Sequence, residues 1–375
     1  MSDGPGHLDA LPPRSVAFVL GTRPEAIKLA DLALLLGEAA WILHTGQHYD
    51  PVLGDDVLAG VGFPAPHIEL GVGGSSRGQQ LGRATALLDD AFRAERPLAV
   101  VVQGDTNATL AGALAANAGD VPVVHVEAGI RSFDRAMPEE HNRVLVDHLS
   151  ERCCAPTEVS VSNLASEGIG GARVVCTGNT VVEAAHRLLP SADARAEQLR
   201  SAGLTADGFV LATLHRPENV DRAEPLAAIL DELASLPVPV VLPLHPRTAA
   251  RAESFGLSAA LARLRVVLPL PPAPFLGLAA EAAVWVSDSG GLQEEASVLK
   301  KPVVVVRRST ERPEVQGTFA ELVAPGPEIG ERVRAWLDDD ARRLALAEVP
   351  CPYGDGTASA KIHAVIVALA GARPT

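Results

Sequence analysis

Residues 15–36 read SVAFVLGTRPEAIKLADLALLL. An apolar run stops at Gly21 and gives way to apolar residues at helical spacing, so the segment predicts strand, tight turn and helix. Gly21 permits the tight turn and Pro24 suits a first helical turn. The run is continuously apolar rather than alternating. That marks a strand covered on both faces, as in a parallel sheet with helices on either side. The same unit recurs along the chain: SVAFVL, AWILHT, LAVVVQ, VPVVHV and ARVVCT, then FVLATL, VPVVLPL, LRVVLPL, AVWVSD and PVVVV. Two successive α/β sheets are the simplest account, and 375 residues are enough for two domains.

The stretch LLPSADARAEQLRSAGLTADG, residues 188–208, is polar, alanine-rich and without strand signals. It separates five runs from five more, so the joint is expected near residue 190, with domains at 15–190 and 191–357 after a flexible start at 1–14. The final TASAKIHAVIVALAG follows the turn signal YGDG and has helical apolar spacing. This helix, about 358–375, is free in principle to pack back on the first domain.

Hydrophobic residues make up 47% and charged residues 21%, the balance of a core-forming soluble protein. A net charge of −14 argues against nonspecific binding to nucleic acid or anionic lipid, both of which need a basic face. Any phosphate must then be held by a local pocket. No run reaches the roughly 18 apolar residues of a membrane span, and MSDGPGHLDALPPR lacks the apolar core of a signal peptide, so a cytoplasmic location is expected. Cys153, Cys154, Cys176 and Cys351 show no metal-ligand spacing and are expected as buried, reduced thiols.

In open α/β sheets ligands bind beyond the carboxyl ends of the strands. Arg23 and Lys28 add cations to the positive end of the first helix, which suits an anion, with an ordinary strand–helix turn as the plain alternative. Asp105 stands at the tip of VVVQ, beside Thr106 as the expected helix cap. In AVWVSDSGGLQEEASVLKKP, Asp288, Ser289, Gly290 and Gly291 make a small-residue turn whose amides and Ser289 hydroxyl can cradle a phosphate. Glu294 or Glu295 could accept both hydroxyls of a ribose, or both could be solvated first-turn acids. His215 and His245 each follow a strand with Arg216 or Arg247 nearby, and Arg307, Arg308 and Arg312 follow another. Cations gathered at strand tips favour an anion-binding cleft. No G-x-G-x-x-G, P-loop, metal-spaced histidine pair or G-x-S-x-G is present, which sets aside dinucleotide, P-loop and serine-hydrolase readings.

One cluster is left to account for. HVEAGIRSFDRAMPEEHNR, residues 125–143, sets glutamates, an aspartate, arginines and histidines directly after a buried run. With GTRPEAIK, TGQHYD, QGDTNATLAGALAA, APTE, TGNTVVEA, LHRPENV, DSGGLQEEA, KPVVVVR, TERPE and PYGDGTAS, it resembles the non-hydrolysing UDP-N-acetylglucosamine 2-epimerases, motif by motif and in order from about Ser15. The resemblance implies a GT-B-like fold: two Rossmann-like doubly wound domains facing across a cleft, the C-terminal helix returning to the first. It implies a homodimer, a UDP-sugar substrate, and no cofactor or metal. It further implies inversion at C2 through loss of UDP to 2-acetamidoglucal and its re-addition.

Carried over by motif, Asp105, Glu127 and Glu139 match the catalytic acids, with His215 beside them at a phosphate oxygen. Ser289, Gly290, Gly291, Glu295, Arg312, His245, Lys28 and Arg23 match UDP-binding positions, Arg23 reaching from the other domain. Clustered carboxylates push pKa values apart, which helps one stay protonated near neutrality. Locally, Glu139 and Glu140 also fit as first-turn acids after Pro138. QHYDPVL and GVGGSSRGQQLGRAT depart from the family pattern in the region that binds an activating second UDP-GlcNAc. Gln47, His48 and Gln79 are the candidate regulatory residues there. Competing readings are a hydrolysing epimerase, an epimerase of a modified UDP-sugar, a GT-B glycosyltransferase and a non-catalytic nucleotide-sugar sensor.

Overall fold

The computed structural model describes residues 11–47, 60 and 62–371. Most of the expected flexible start, through residue 10, lies outside them. The chain forms two compact units, Met1–Ala184 with Tyr353–Thr375, and Ala185–Pro352.

Unit one is built on β1 (Val16–Leu20), β2 (Ala40–His44), β3 (Ile68–Glu69), β4 (Ala99–Gln103), β5 (Val123–Val126), β6 (Arg152–Ala155) and β7 (Val174–Cys176). They lie in the order β3-β2-β1-β4-β5-β6-β7, and every pairing is parallel. Unit two carries β8 (Val210–Thr213), β9 (Val240–Pro243), β10 (Arg265–Val267), β11 (Val284–Ser287), β12 (Val303–Val306) and β13 (Ala320–Val323). Their order is β10-β9-β8-β11-β12-β13, again all parallel. Each sheet is therefore a doubly wound α/β sheet, and in each the strand order reverses beside the first strand. At such a reversal the loops leaving neighbouring carboxyl ends diverge, opening a crevice for ligand.

Burial follows the reading of the first segment. All five residues of β1 have no exposed surface. Removing a side chain such as Phe18 from water stabilises by about 1.5–3 kcal/mol. The helix Asn107–Ala118 lies directly on this sheet because Gly112 has no side chain. A Cβ there would sit 2.9 Å from Val19 and Val102. In β4 and β5, Gln103 is the register partner of Val126, so the residues that follow each strand emerge side by side.

Three strands escape the apolar-run criterion. β6 reads RCCA, with cysteines in place of β-branched residues; β3 has two residues and β13 reads AELV. β3 and β13 are sheet edges, where one side needs no continuous apolar cover. The segment 188–208 is not a bare linker. It contains the helix Ala192–Ala202, capped by Ser191 and ended by left-handed Gly203. Arg195 pairs with Glu281 at 2.7 Å, and Gln198 donates to the Pro274 carbonyl at 2.8 Å, fastening this helix to Pro272–Glu281 within unit two. The last helix, Ala358–Gly371, packs against Arg23–Leu36 with Ile362 and Ile366 buried. Cys153 and Cys154 are buried, but Cys176 is exposed and Cys351 half-buried, so the expectation of four buried thiols holds for two.

Candidate active site

The tip of β5 places Glu127 on a left-handed backbone, φ +66°, which is strained for a side-chain-bearing residue. The residue is 6% exposed. Oε1 accepts from the Lys28 ammonium, and Oε2 accepts from the Gln103 amide at 2.5 Å. Lys28 comes from the first helix and Gln103 from the end of β4, so three elements converge on one carboxylate. Lys28 was expected among the UDP-binding residues; in this structure its buried ammonium faces Glu127.

Asp105 follows β4 by two residues. Thr106, not Asp105, caps the next helix, through a capping box with Thr109. The Asp105 carboxylate is thereby available to Arg143, which holds it through Nη2. Arg143 also donates through Nη1 to Glu140 Oε2 at 2.9 Å. Glu140 is buried and ties down the preceding loop, accepting from the Ser132 and Phe133 amides at 3.0 and 2.9 Å. The two first-turn acids of the helix Pro138–Leu149 therefore divide: Glu140 is structural, whereas Glu139 is exposed.

Sequence reasoning passed over three residues here: Gln103, Arg143 and Glu25. Glu25 is 1% exposed and accepts from the Gly21 amide (3.0 Å) and the hydroxyls of Thr22 (2.8 Å), Thr106 (2.8 Å) and Thr109 (3.2 Å). It thus joins the turn after β1 to the turn after β4. Burial pushes its carboxyl above the usual carboxylate range, against those hydrogen bonds. The threonines were a signal, since three hydroxyls near strand tips need an acceptor.

Gln47 accepts from the Ala108 amide at 3.1 Å, and Gln79 closes a capping box with Ser76 at the start of Arg77–Ala94. Both serve helix N-termini in this structure. His48 lies outside the described residues.

In unit two the tips of β8, β9, β11 and β12 carry the cluster. Asp288 is fully buried. It accepts from the His215 and Arg216 amides at 3.1 and 2.9 Å and from Asn219 Nδ2 at 3.1 Å, and the His215 ring stands 3.1 Å away. Burial opposes the charged form, yet the hydrogen bond and charge of His215 and the Arg216 amide hold Asp288 below its ordinary value. The His245 ring lies 5.6 Å from that of His215, and partial burial together with His215 depresses its basicity.

Ser289 occupies the N-cap of Gly290–Val298 and makes no side-chain cap bond to the first amides of that helix, which have no intrahelical acceptor of their own. Gly290 is needed there: a Cβ would fall 2.4 Å from Glu311 Oε1. Glu311 is held in turn by Arg307 at 2.8 Å. Gly291 faces open space. Glu294 is not a solvated acid. It has no exposed surface and pairs with Arg312, itself 7% exposed, while Glu295 is half-buried. Arg23, in unit one, is half-buried at the start of the first helix.

The carboxylates at neighbouring strand tips and the uncapped Ser-Gly-Gly helix start occur in a chain whose residues 38–367 match the family model described as UDP-N-acetylglucosamine 2-epimerase. The chain belongs to that family. An epimerase of this name from Methanocaldococcus jannaschii is 40% identical over 321 residues, covering 82% of this chain and 87% of that protein. The UDP-2,3-diacetamido-2,3-dideoxy-D-glucuronate 2-epimerase of Pseudomonas aeruginosa is 35% identical, covering 92% of this chain and 98% of that protein. Among solved structures, the UDP-GlcNAc 2-epimerase of Neisseria meningitidis bound to UDP-GlcNAc superposes with a TM-score of 0.85 at 32% identity, covering 94% of this chain and 99% of that one. The two doubly wound units are accordingly GT-B-like, as in the epimerase structures they match. No helix among the described residues is long and apolar enough to cross a membrane.

Proposed function

We propose that this family member interconverts UDP-N-acetylglucosamine and UDP-N-acetylmannosamine at C2 without hydrolysis. A base removes the C2 proton while the C1–O bond breaks, its electron pair leaving with UDP and the C–H pair forming the C1–C2 double bond of 2-acetamidoglucal. UDP then returns to C1 as a proton is delivered to the opposite face of C2. No carbonyl activates that proton, so the reaction needs positioned bases and stabilisation of both the departing diphosphate and the cationic character at C1.

The observation that carries the reading is Glu127: a carboxylate buried at a strand tip, with both oxygens fixed by Lys28 and Gln103. Asp105, clamped by Arg143, and exposed Glu139 complete the acids that exchange protons with the sugar. Ser289, Gly290 and Gly291 receive the diphosphate, Glu295 the ribose, and His215, His245, Arg312 and Arg23 the phosphate oxygens. Cytoplasmic residence and a homodimer belong to the same proposal, the latter measurable by sedimentation.

The test is a proton NMR time course of UDP-GlcNAc with the purified protein in deuterated water. Loss of the C2 proton signal together with growth of UDP-ManNAc is expected. Free ManNAc with UDP would mean hydrolysis. An unchanged spectrum would overturn the reading for this sugar. The Pseudomonas relative supports one second reading, a diacetamido-uronate sugar, and that nucleotide is the substrate to try next.

A further inference from the structure

His125 has no exposed surface and lies two residues before Glu127 on β5. Its Nδ1 stands 2.6 Å from Asp147 Oδ1 and its Nε2 2.8 Å from the Gly104 carbonyl oxygen. A carbonyl can only accept, so Nε2 donates to Gly104, while Nδ1 faces the Asp147 carboxylate. Gly104 separates Gln103, which holds Glu127, from Asp105, so the ring ties the tip of β4 to the tip of β5 where both carboxylates leave the sheet. The backbone there is under strain at Glu127, whose left-handed φ of +66° is costly for a side-chain-bearing residue, while Gly104 takes its φ of +70° freely. The ring is anchored from behind. Asp147 accepts from the Gly129 amide at 3.1 Å and pairs with Arg131 at 2.8 Å, and Arg131 is gripped by both oxygens of Glu167 at 2.8 Å. His125 and Arg131 offset the burial of Asp147 and keep its carboxyl below the ordinary value.

We propose that His125 is a positioning residue for the epimerisation: it fixes Asp105 relative to Glu127 through the Gly104 carbonyl and touches no substrate itself. This rests on the functional reading above. The test compares wild type with His125→Phe, which keeps a ring but donates from neither position, and His125→Gln, a smaller change should the first variant fail to fold. Each is run in deuterated water, recording kcat, KM, UDP affinity, and the ratio of deuterium entering recovered substrate to epimer formed.

Misplaced acids should lower kcat by about 10- to 100-fold. KM and UDP affinity should stay within about threefold, and the exchange ratio should move because the two faces of C2 no longer see matched proton donors. A merely structural role lowers the active fraction and leaves that ratio at the wild-type value. Wild-type exchange with an unmoved ratio in the folded variants would overturn this proposal alone. Absence of exchange by wild type would overturn the functional reading and the proposal with it.

Discussion

Replacing Lys28 by Met removes the ammonium that faces Glu127 and keeps a side chain of similar length. The Lys28 side chain is 11% exposed and that of Glu127 4%, so the change strands a carboxylate in a nearly dry site. Removing one partner of a buried ion pair costs about 3–5 kcal/mol, mostly the desolvation of the charge left behind. Gln103 still donates to Glu127 but cannot supply the missing charge. Adding Glu127→Gln removes the stranded carboxylate, so the double variant should be more stable than Lys28→Met alone, with a coupling above about 1 kcal/mol. Urea unfolding of the four proteins of this cycle, followed by circular dichroism, reads the effect. UDP titration should be unchanged in Lys28→Met, since the ammonium acts through Glu127. Additivity within about 0.5 kcal/mol would refute the pairing. Weakened UDP binding with little loss of stability would return Lys28 to the role of phosphate ligand.

The acid itself gives a plainer result: Glu127→Gln should abolish turnover while UDP still binds, and substantial residual activity would remove Glu127 from the mechanism. Arg312→Ala is best combined with Glu294→Gln so that no buried charge is stranded; UDP affinity should fall by about 1.5–3 kcal/mol, and an unchanged titration would place Arg312 outside the site. Gly290→Ala forces a Cβ to 2.4 Å from Glu311 Oε1, so UDP binding should weaken, and full affinity would show that Glu311 can step aside. The folded value of Asp288 lies below its ordinary 3.8, so its contribution to stability is present above about pH 3.8 and is lost as pH falls through the lower folded value. Asp288→Asn should therefore flatten the acid limb of unit-two unfolding, and an unaltered limb would assign it to other groups.

Ten of the thirteen strands among the described residues could be read from apolar runs because buried parallel strands leave so direct a pattern. β6 could not, since its buried faces are cysteines. At the site, sequence supplied the ends of strands and thus the neighbourhood of Asp105, Glu127 and the Ser289 turn. It did not supply who faces whom. Lys28 and Glu127 are 99 positions apart and Arg143 and Asp105 are 38, and no local spacing carries a pairing made by the sheet order. The contrast between Glu139 and Glu140 was equally hidden: adjacent on a helix, they point about 100° apart, and the loop at Ser132 together with Arg143 decides which is buried.

The chain leaves unit one at Ala184, builds all of unit two, and returns at Tyr353 to lay the helix Ala358–Gly371 on Arg23–Leu36. Unit one, the first to be made, is thus the last to be completed, against the usual order in which the N-terminal domain matures first. Residues 185–352 can close their own sheet while the first unit still waits for its last helix, with the apolar flank of Arg23–Leu36 uncovered. A released chain that ends before residue 358 should therefore keep unit two protected from protease yet recruit chaperone through unit one. The same dependence bears on tagging: a fusion that hinders Ile362 or Ile366 from docking would disturb the helix that carries Lys28, far earlier in the chain.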